Sequence, residues 1–201
     1  MKKLAAIICG ILFLTQSATS ATDPAIDFVH KLADEIITDV LAAKKPMSEK
    51  LNVFRDKFQN ALDLRYIGQF VLGVYWRKSD ENMRDEFLDA FMEFTTKSWA
   101  DKFNMYQGQK IVFNGVRNAQ KGQLFVDSVI QNNPPVEVVW RIREKDGTYK
   151  IVDIIVEGVS MAMSYRNEYA AFLQTHNGDL YKLIDTLKSK SKEFKFTEVQ
   201  K

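Results

Sequence analysis

Hydrophobic residues in the first half of the chain recur at three- and four-residue steps, the spacing of an amphipathic helix. Asp23-Pro24 is typical of a helix start, and Pro46 ends this first helix. Ser48, Asp63 and Ser79 are predicted to cap three further helices. The apolar lines of these helices are Ile26, Val29, Ala33, Ile36 and Val40 in the first; Leu51, Phe54, Phe58 and Leu62 in the second; Leu64–Leu72 in the third, which Gly73 closes; and Met83, Phe87, Phe91 and Phe94 in the fourth.

After Gly108 the spacing changes to the two-residue alternation of half-buried strands. The four predicted strands are Lys110–Asn118, Gln123–Gln131, Val136–Glu144 and Thr148–Glu157, and two closing helices are predicted at Val159–His176 and Asp179–Ser189. Because helices and strands are segregated and the strand connections are short, the fold class is α+β. We expect a four-stranded twisted antiparallel sheet packed against the N- and C-terminal helices, with an apolar cavity between the layers.

Residues 1–21 have the three parts of a cleaved signal peptide. Lys2 and Lys3 precede the uncharged run from Leu4 to Leu14, and small residues lead to a cleavage position after Ala21. The run is too short for the roughly 20 residues that a membrane-spanning helix needs. We therefore predict an exported protein, secreted or periplasmic, with a single α+β domain over residues 22–190 and a solvated tail over residues 191–201.

Cleavage after Ala21 changes both the cysteine count and the charge of the chain. It removes Cys9, the one cysteine, which excludes a disulfide framework and a cysteine nucleophile from the mature protein. It also removes Lys2 and Lys3 from the 28 basic residues, leaving 26 against 26 acidic residues. A neutral chain has no extended basic field for nucleic acid, so we expect no nucleic-acid partner. We also expect a monomer.

The candidate catalytic groups are few. His30 and His176 each stand alone, without neighbours at metal-ligand spacing, so we expect no metal, no cofactor and no catalytic residue. Asp127 opposes an apolar set along its strand and is predicted to point outward. Asp153 lies between Val152 and Ile154, and alternation does not settle which way it faces. An enzyme that uses Asp153 as a base on an apolar substrate therefore stays open, as does an interaction module with a solid core.

The chain carries an ordered set of short motifs: FVLGVYWR at residues 70–77, MYQGQ at 105–109, Val152-Asp153, EGVSM at 157–161, Asn167-Glu168, and the closing Leu173, Gly178-Asp179, Leu183 and Leu187. Together these motifs resemble the toluene-tolerance, or MlaC, family of periplasmic phospholipid-binding proteins. The set covers nearly the whole mature chain in order, and departures at Asn82-Met83 and Tyr149 leave the subfamily open, including relatives linked to hopanoid lipids.

The resemblance implies a soluble phospholipid carrier rather than an enzyme. Such proteins shuttle lipid between an outer-membrane lipoprotein–porin complex and an inner-membrane ABC transporter with an MCE-domain subunit, which maintains outer-membrane asymmetry. The acyl chains enter a cleft between sheet and helices. We expect the lining and mouth of this cleft to be apolar and the head group to meet an arginine. The predicted lining residues are Phe87, Phe91, Val126, Val138, Trp140, Ile154 and Val156. The predicted mouth residues are Val74, Val159, Met161 and Met163, and the head-group candidates are Arg77 and Arg166.

Overall fold

A computed structural model describes residues 23–100, 103 and 105–194 of the chain. The predicted signal peptide, residues 1–21, lies outside these residues. Helices precede and follow one antiparallel sheet, which confirms the α+β class. The helices are α1 (Pro24–Ile36), continued by a π-helical turn over Ile37–Leu41, α2 (Met47–Ala61), α3 (Leu64–Leu72), α4 (Val74–Lys78), α5 (Glu81–Ser98), α6 (Met161–Thr175) and α7 (Leu180–Glu193).

The sheet is a meander in which each strand pairs with the next along the chain. It has five strands rather than the predicted four, because Val159–Ser160 folds back on the preceding strand before the helix begins at Met161. The predicted helix start at Val159 is therefore two residues too early. The strands are β1 (Ile111–Asn118), β2 (Gln123–Ile130), β3 (Val136–Lys145), β4 (Thr148–Val156) and β5 (Val159–Ser160).

The helix α4 was not predicted, and it changes the cap of α5. The Ser79 hydroxyl donates to the Tyr75 carbonyl at 2.7 Å, closing α4. The side chain of Asp80 instead accepts the first-turn amide hydrogen bond of α5, from Met83 N at 2.8 Å. The prediction that Ser79 caps α5 is therefore wrong by one residue.

Other predicted boundaries also differ from the structure, and the first helix, with its π-helical turn, ends at Leu41 rather than at Pro46. Helix α2 begins at Met47 with Pro46 before it, so Ser48 lies inside the first turn and makes no cap. Helix α7 continues to Glu193, beyond the predicted end at Ser189, because Ser191 is buried and its hydroxyl donates to the Leu187 carbonyl at 2.8 Å. Residues 191–193 thus belong to the helix rather than to a solvated tail, and residues 195–201 lie outside the described part.

The face of the sheet that meets the helices carries the predicted alternating residues. Val126 pairs with Trp140, which in turn pairs with Ile154, so one apolar row crosses the three central strands. A second row joins Val138 to Val156. These side chains belong to the same core as the buried residues of α1, α2 and α5. Removing this apolar surface from water is the main force that holds the two layers together.

The outer edge of β4 is covered at two places. The junction between α2 and α3 lies against Ile151, where Leu62 forms a parallel bridge and Asp63 N donates to the Ile151 carbonyl at 2.9 Å. Further along, β5 pairs with Ile155 and Val156. Covering an edge strand in this way removes a template for pairing with another chain.

Asp63 fixes α3 to the sheet. Its side chain is 97% buried and accepts from Tyr66 N at 3.3 Å, the predicted helix cap. The same carboxylate lies 3.6 Å from Arg143 Nε and 3.3 Å from Lys145 Nζ, both on β3. One carboxylate therefore satisfies a helix end and two cations of the neighbouring layer.

We predict that Asp63→Ala lowers the free energy of unfolding by about 2–3 kcal/mol, because it removes a cap and leaves two cations beside a buried site. Asp80→Ala is the matched control, since Asp80 is an exposed cap without ion pairs to cations of the sheet, and should cost about 1 kcal/mol. Urea unfolding of both variants measures the difference. Equal losses would show that the Arg143 and Lys145 contacts contribute nothing.

Candidate ligand-binding cavity

A cavity of about 50 Å³ lies between β4 and the helices α2, α3, α5 and α6. Its wall is almost entirely apolar, in the place where the sequence predicts a cavity between the layers. Its volume is well below the roughly 300–1,000 Å³ of typical small-molecule sites. The lining residues are Phe58, Leu62, Ile67, Phe91, Thr95, Trp99, Ile151, Val152, Asp153, Ile154, Met161, Ala162 and Tyr165.

The structure places two predicted lining residues, Phe91 and Ile154, and one predicted mouth residue, Met161, on the wall of this cavity. Other predicted residues lie elsewhere. Phe87, Val126 and Val138 are buried in the core without lining the cavity, and Trp140 and Val156 are partly buried against the core. The predicted mouth residues Val74, Val159 and Met163 are exposed.

A bulge in β4 explains why four consecutive strand residues line the cavity. Arg141 of β3 pairs with Asp153, whereas the next residue, Ile142, pairs with Ile151. Val152 is thus an extra residue on β4, and the alternation of faces is interrupted there. Sequence alternation carries no sign of such a bulge, which is why Ile151 was not predicted as a lining residue. Val152 lies two residues from Ile154, so alternation alone was enough to place it on the same face.

The facing of Asp153, open from the sequence, is resolved by its hydrogen bonds. Its carboxylate is buried and accepts from the Ser160 hydroxyl at 2.6 Å and from Ala162 N at 2.9 Å. Ser160 in turn accepts from Met163 N at 3.0 Å and caps α6. The positive N-terminal end of the α6 helix dipole also stabilises a carboxylate at this position. Asp153 therefore anchors the first turn of α6 to β4.

Aromatic rings form the contact between α5 and α6 beside the cavity. Phe91 and Tyr165 meet edge to face with ring centres 5.2 Å apart, and Phe87 meets Tyr169 in the same way at 6.0 Å. Tyr165 and Tyr169 are stacked at 5.8 Å. Burial raises the pKa of both tyrosine hydroxyls above the usual value, so both remain protonated donors at neutral pH.

The two head-group candidates have different surroundings. Arg166 donates to the Phe70 carbonyl, and its guanidinium lies 5.0 Å from the centre of the Phe70 ring, so it joins α6 to α3. Arg77 is exposed on α4 and makes no ion pair with a described residue. The side chain of Arg77 is therefore the more accessible of the two.

The remaining titratable candidates of the sequence have structural partners. Asp127 points outward as predicted, and its carboxylate forms a salt bridge with Arg117, whose Nε lies 2.5 Å away. His30 lies 3.0 Å from Asp34, and His176 Nδ1 lies 2.7 Å from the Phe172 carbonyl at the end of α6. Within the described residues, no group of three or more histidine, cysteine, aspartate or glutamate side chains is arranged to hold a metal ion.

A second concavity, of about 550 Å³, lies where the end of α6 meets α4 and the start of α7. It is open to solvent and mixes Tyr75 and Tyr181 with Lys78 and Asp179. Polar and charged walls shield an apolar ligand poorly from water. The smaller cavity behind β4 is therefore the better candidate for an apolar ligand.

Comparison with known proteins places this sheet-and-helix architecture in one family. The family model described as MlaC protein matches residues 29–189, most of the chain. The chain belongs to the MlaC family, the family that the sequence motifs resemble.

Individual relatives extend the match. The chain is 25% identical over 207 residues to the "Intermembrane phospholipid transport system binding protein MlaC" of Haemophilus influenzae, covering 96% of this chain and 93% of that protein. It is 22% identical over 174 residues to the "Toluene tolerance protein ttg2D" of Pseudomonas putida, covering 83% and 81%. Among solved structures, a phospholipid-binding protein of Ralstonia solanacearum in complex with a phospholipid shares the fold, with a TM-score of 0.77 at 17% identity over 86% of this chain and 99% of that one.

Over residues 23–100, 103 and 105–194, none of the helices has both the length and the apolar character needed to cross a bilayer.

We predict that Asp153→Ala lowers the free energy of unfolding by about 2–3 kcal/mol, because it leaves the buried amide of Ala162 without an acceptor. Asp153→Asn keeps one acceptor and should cost about 1 kcal/mol. Asp127→Ala is the control on the exposed face and should cost less than about 1 kcal/mol. Urea unfolding separates the three variants. A cost for Asp153→Ala no greater than that for Asp127→Ala would remove the anchoring role.

Proposed function

We propose that this chain is a periplasmic phospholipid carrier that shelters acyl chains between β4 and the helices covering it. The observation that carries the proposal is the apolar cavity at this position in a chain of the MlaC family. Relatives named for phospholipid transport, and a structure of the same fold with a bound phospholipid, support it. The predicted signal peptide supports the periplasmic location.

Binding requires the cavity to expand, because about 50 Å³ does not accommodate an acyl chain. The walls that must separate are joined mainly by apolar contacts, which are non-directional. Each acyl methylene removed from water contributes about 0.8 kcal/mol, which offsets the cost of parting those walls. The hydrogen bonds of Asp63 and Asp153 lie at the starts of α3 and α6, so these ends stay attached while the layers separate.

The head group is proposed to remain near solvent, with a guanidinium as its phosphate contact. Arg77 is the better candidate, because Arg166 would first have to leave the Phe70 carbonyl. The exposed Val74, Val159 and Met163 remain the proposed mouth. The proposed ligand is a phospholipid, and a hopanoid-type lipid in the same cavity is the alternative.

We further propose that the lipid is carried without chemical change, between an outer-membrane lipoprotein–porin complex and an inner-membrane ABC transporter with an MCE-domain subunit. Family membership supports these partners. Asp153 accepts hydrogen bonds from the Ser160 hydroxyl and from Ala162 N, and this favours a structural role for its carboxylate over the role of a catalytic base. Accordingly, Asp153→Asn should keep its bound lipid, whereas an enzyme that used this base would lose turnover.

Met161→Glu is predicted to reduce the bound phospholipid at least roughly tenfold, because it places a charge on the apolar cavity wall. The fold should tolerate this glutamate, since acidic side chains are favourable in the first turn of a helix. The measurement is the lipid-to-protein ratio by mass spectrometry after detergent-free purification, with circular dichroism as the check on folding.

Asn167→Glu is the matched control, six residues further along the same helix, where the side chain is exposed and off the cavity wall. It should retain nearly the wild-type lipid content. Full lipid occupancy in a folded Met161→Glu protein would rule out this cavity as the binding site. Equal loss in both variants would place the site at the surface rather than behind β4.

A further inference from the structure

The cavity wall contains a buried hydroxyl without a hydrogen-bond partner. Thr95 of α5 lines the cavity and is 6% exposed, and its Oγ1 is buried and makes no hydrogen bond to any described residue. Leaving a buried polar group unpaired is costly, and natural proteins do so rarely. A threonine in a helix can donate to the carbonyl one turn earlier, but here it does not. Thr95 thus has unused hydrogen-bonding capacity at the cavity.

A second hydroxyl on the same wall lies close to Thr95. Tyr165 of α6 also lines the cavity, and its ring packs edge to face against Phe91, one helical turn before Thr95. Burial raises the pKa of the Tyr165 hydroxyl, and the neighbouring hydroxyls of Thr95 and Ser98 offset part of this rise. The Ser98 hydroxyl is already used, since it donates to the Thr95 carbonyl at 2.8 Å. The cavity wall therefore carries two hydroxyls close together, and the Thr95 Oγ1 is the one that has no hydrogen-bond partner.

The surroundings of this pair restrict the group that it can bind. Apart from these hydroxyls, the wall offers the indole of Trp99 and the carboxylate of Asp153, which already accepts two hydrogen bonds. An ionised phosphate in this apolar place would lose its hydration at a large cost. An uncharged acceptor loses far less and gains the hydrogen bonds of the two hydroxyls. In a phospholipid, the uncharged acceptors attached to the acyl chains are the ester carbonyl oxygens.

We infer that the Thr95 and Tyr165 hydroxyls form a subsite for an ester carbonyl of the bound lipid, and so select ester-linked over ether-linked chains. The inference rests on the proposed phospholipid binding and deepens it. The subsite would fix the depth to which the acyl chains enter, with the methylenes against the apolar wall and the phosphate further out. It assigns a function to two polar groups that the apolar burial of acyl chains does not require.

A competition between two lipids tests the subsite. Delipidated protein is incubated with vesicles that contain equal amounts of a diacyl phosphatidylethanolamine and its dialkyl ether analogue, which has the same head group and chain length but no carbonyl. After the protein is separated from the vesicles, mass spectrometry gives the total bound lipid and the ester-to-ether ratio. The wild type should favour the ester lipid roughly tenfold.

Thr95→Val with Tyr165→Phe removes both hydroxyls with little change in shape and should bring the ester-to-ether ratio close to one. Tyr169→Phe is the matched control, because Tyr169 carries an unpaired hydroxyl on the same helix, 1% exposed, but does not line the cavity. It should keep the wild-type ratio. Circular dichroism checks the fold, and Thr95→Val alone, expected to lower the ratio partly, replaces the double variant if that fails to fold.

The outcomes separate the subsite from the proposed function. A wild-type ratio near one, with both lipids bound, would overturn the subsite while leaving phospholipid binding intact. A high ratio that persists in the double variant would also overturn it, since the selection would then come from other groups. Wild-type protein that takes up neither lipid would refute phospholipid binding and the subsite with it.

Discussion

The apolar contact between β4 and the helices that cover it is the interaction on which the rest of the structure depends. It must exclude water to stabilise the fold, yet it is also the surface that an acyl chain would replace. Apolar contacts suit both demands, because they are strong in sum but impose no direction. Two buried carboxylates, Asp63 and Asp153, supply the directional bonds that keep α3 and α6 attached at their first turns.

This division of roles explains how a cavity of about 50 Å³ is compatible with a much larger ligand. When the cavity expands, apolar surfaces separate, and a bound acyl chain would cover them again. The hydrogen bonds of Asp63 and Asp153 would remain in place. The unpaired hydroxyl of Thr95 fits the same logic, because it is costly in the dry core and gains a partner when a carbonyl enters.

The periodicity of the sequence predicted the order of elements, the fold class and most strand limits, because burial on one face leaves a regular pattern. It missed α4, since a five-residue helix between Gly73 and Ser79 is too short to show a period. It placed Phe91, Ile154 and Met161 on the cavity but missed Ile151 and Val152. A bulge moves Ile151 onto the wall, and a bulge depends on the pairing with β3, which the sequence of one strand does not show. Val152 alternates with Ile154, so the pattern alone was enough to place it there. The unpaired hydroxyl of Thr95 was not predicted, because whether a buried hydroxyl has a hydrogen-bond partner depends on how the helices pack.

Native mass spectrometry of the exported protein, purified without detergent and then incubated with phospholipid vesicles, tests the central claim most directly. The account predicts one stoichiometric adduct with the mass of a phospholipid, confirmed after solvent extraction. A hopanoid adduct would retain the cavity and change the cargo. A folded protein that stays free of lipid after incubation would contradict the carrier function and leave the space behind β4 as a packing defect in a solid core.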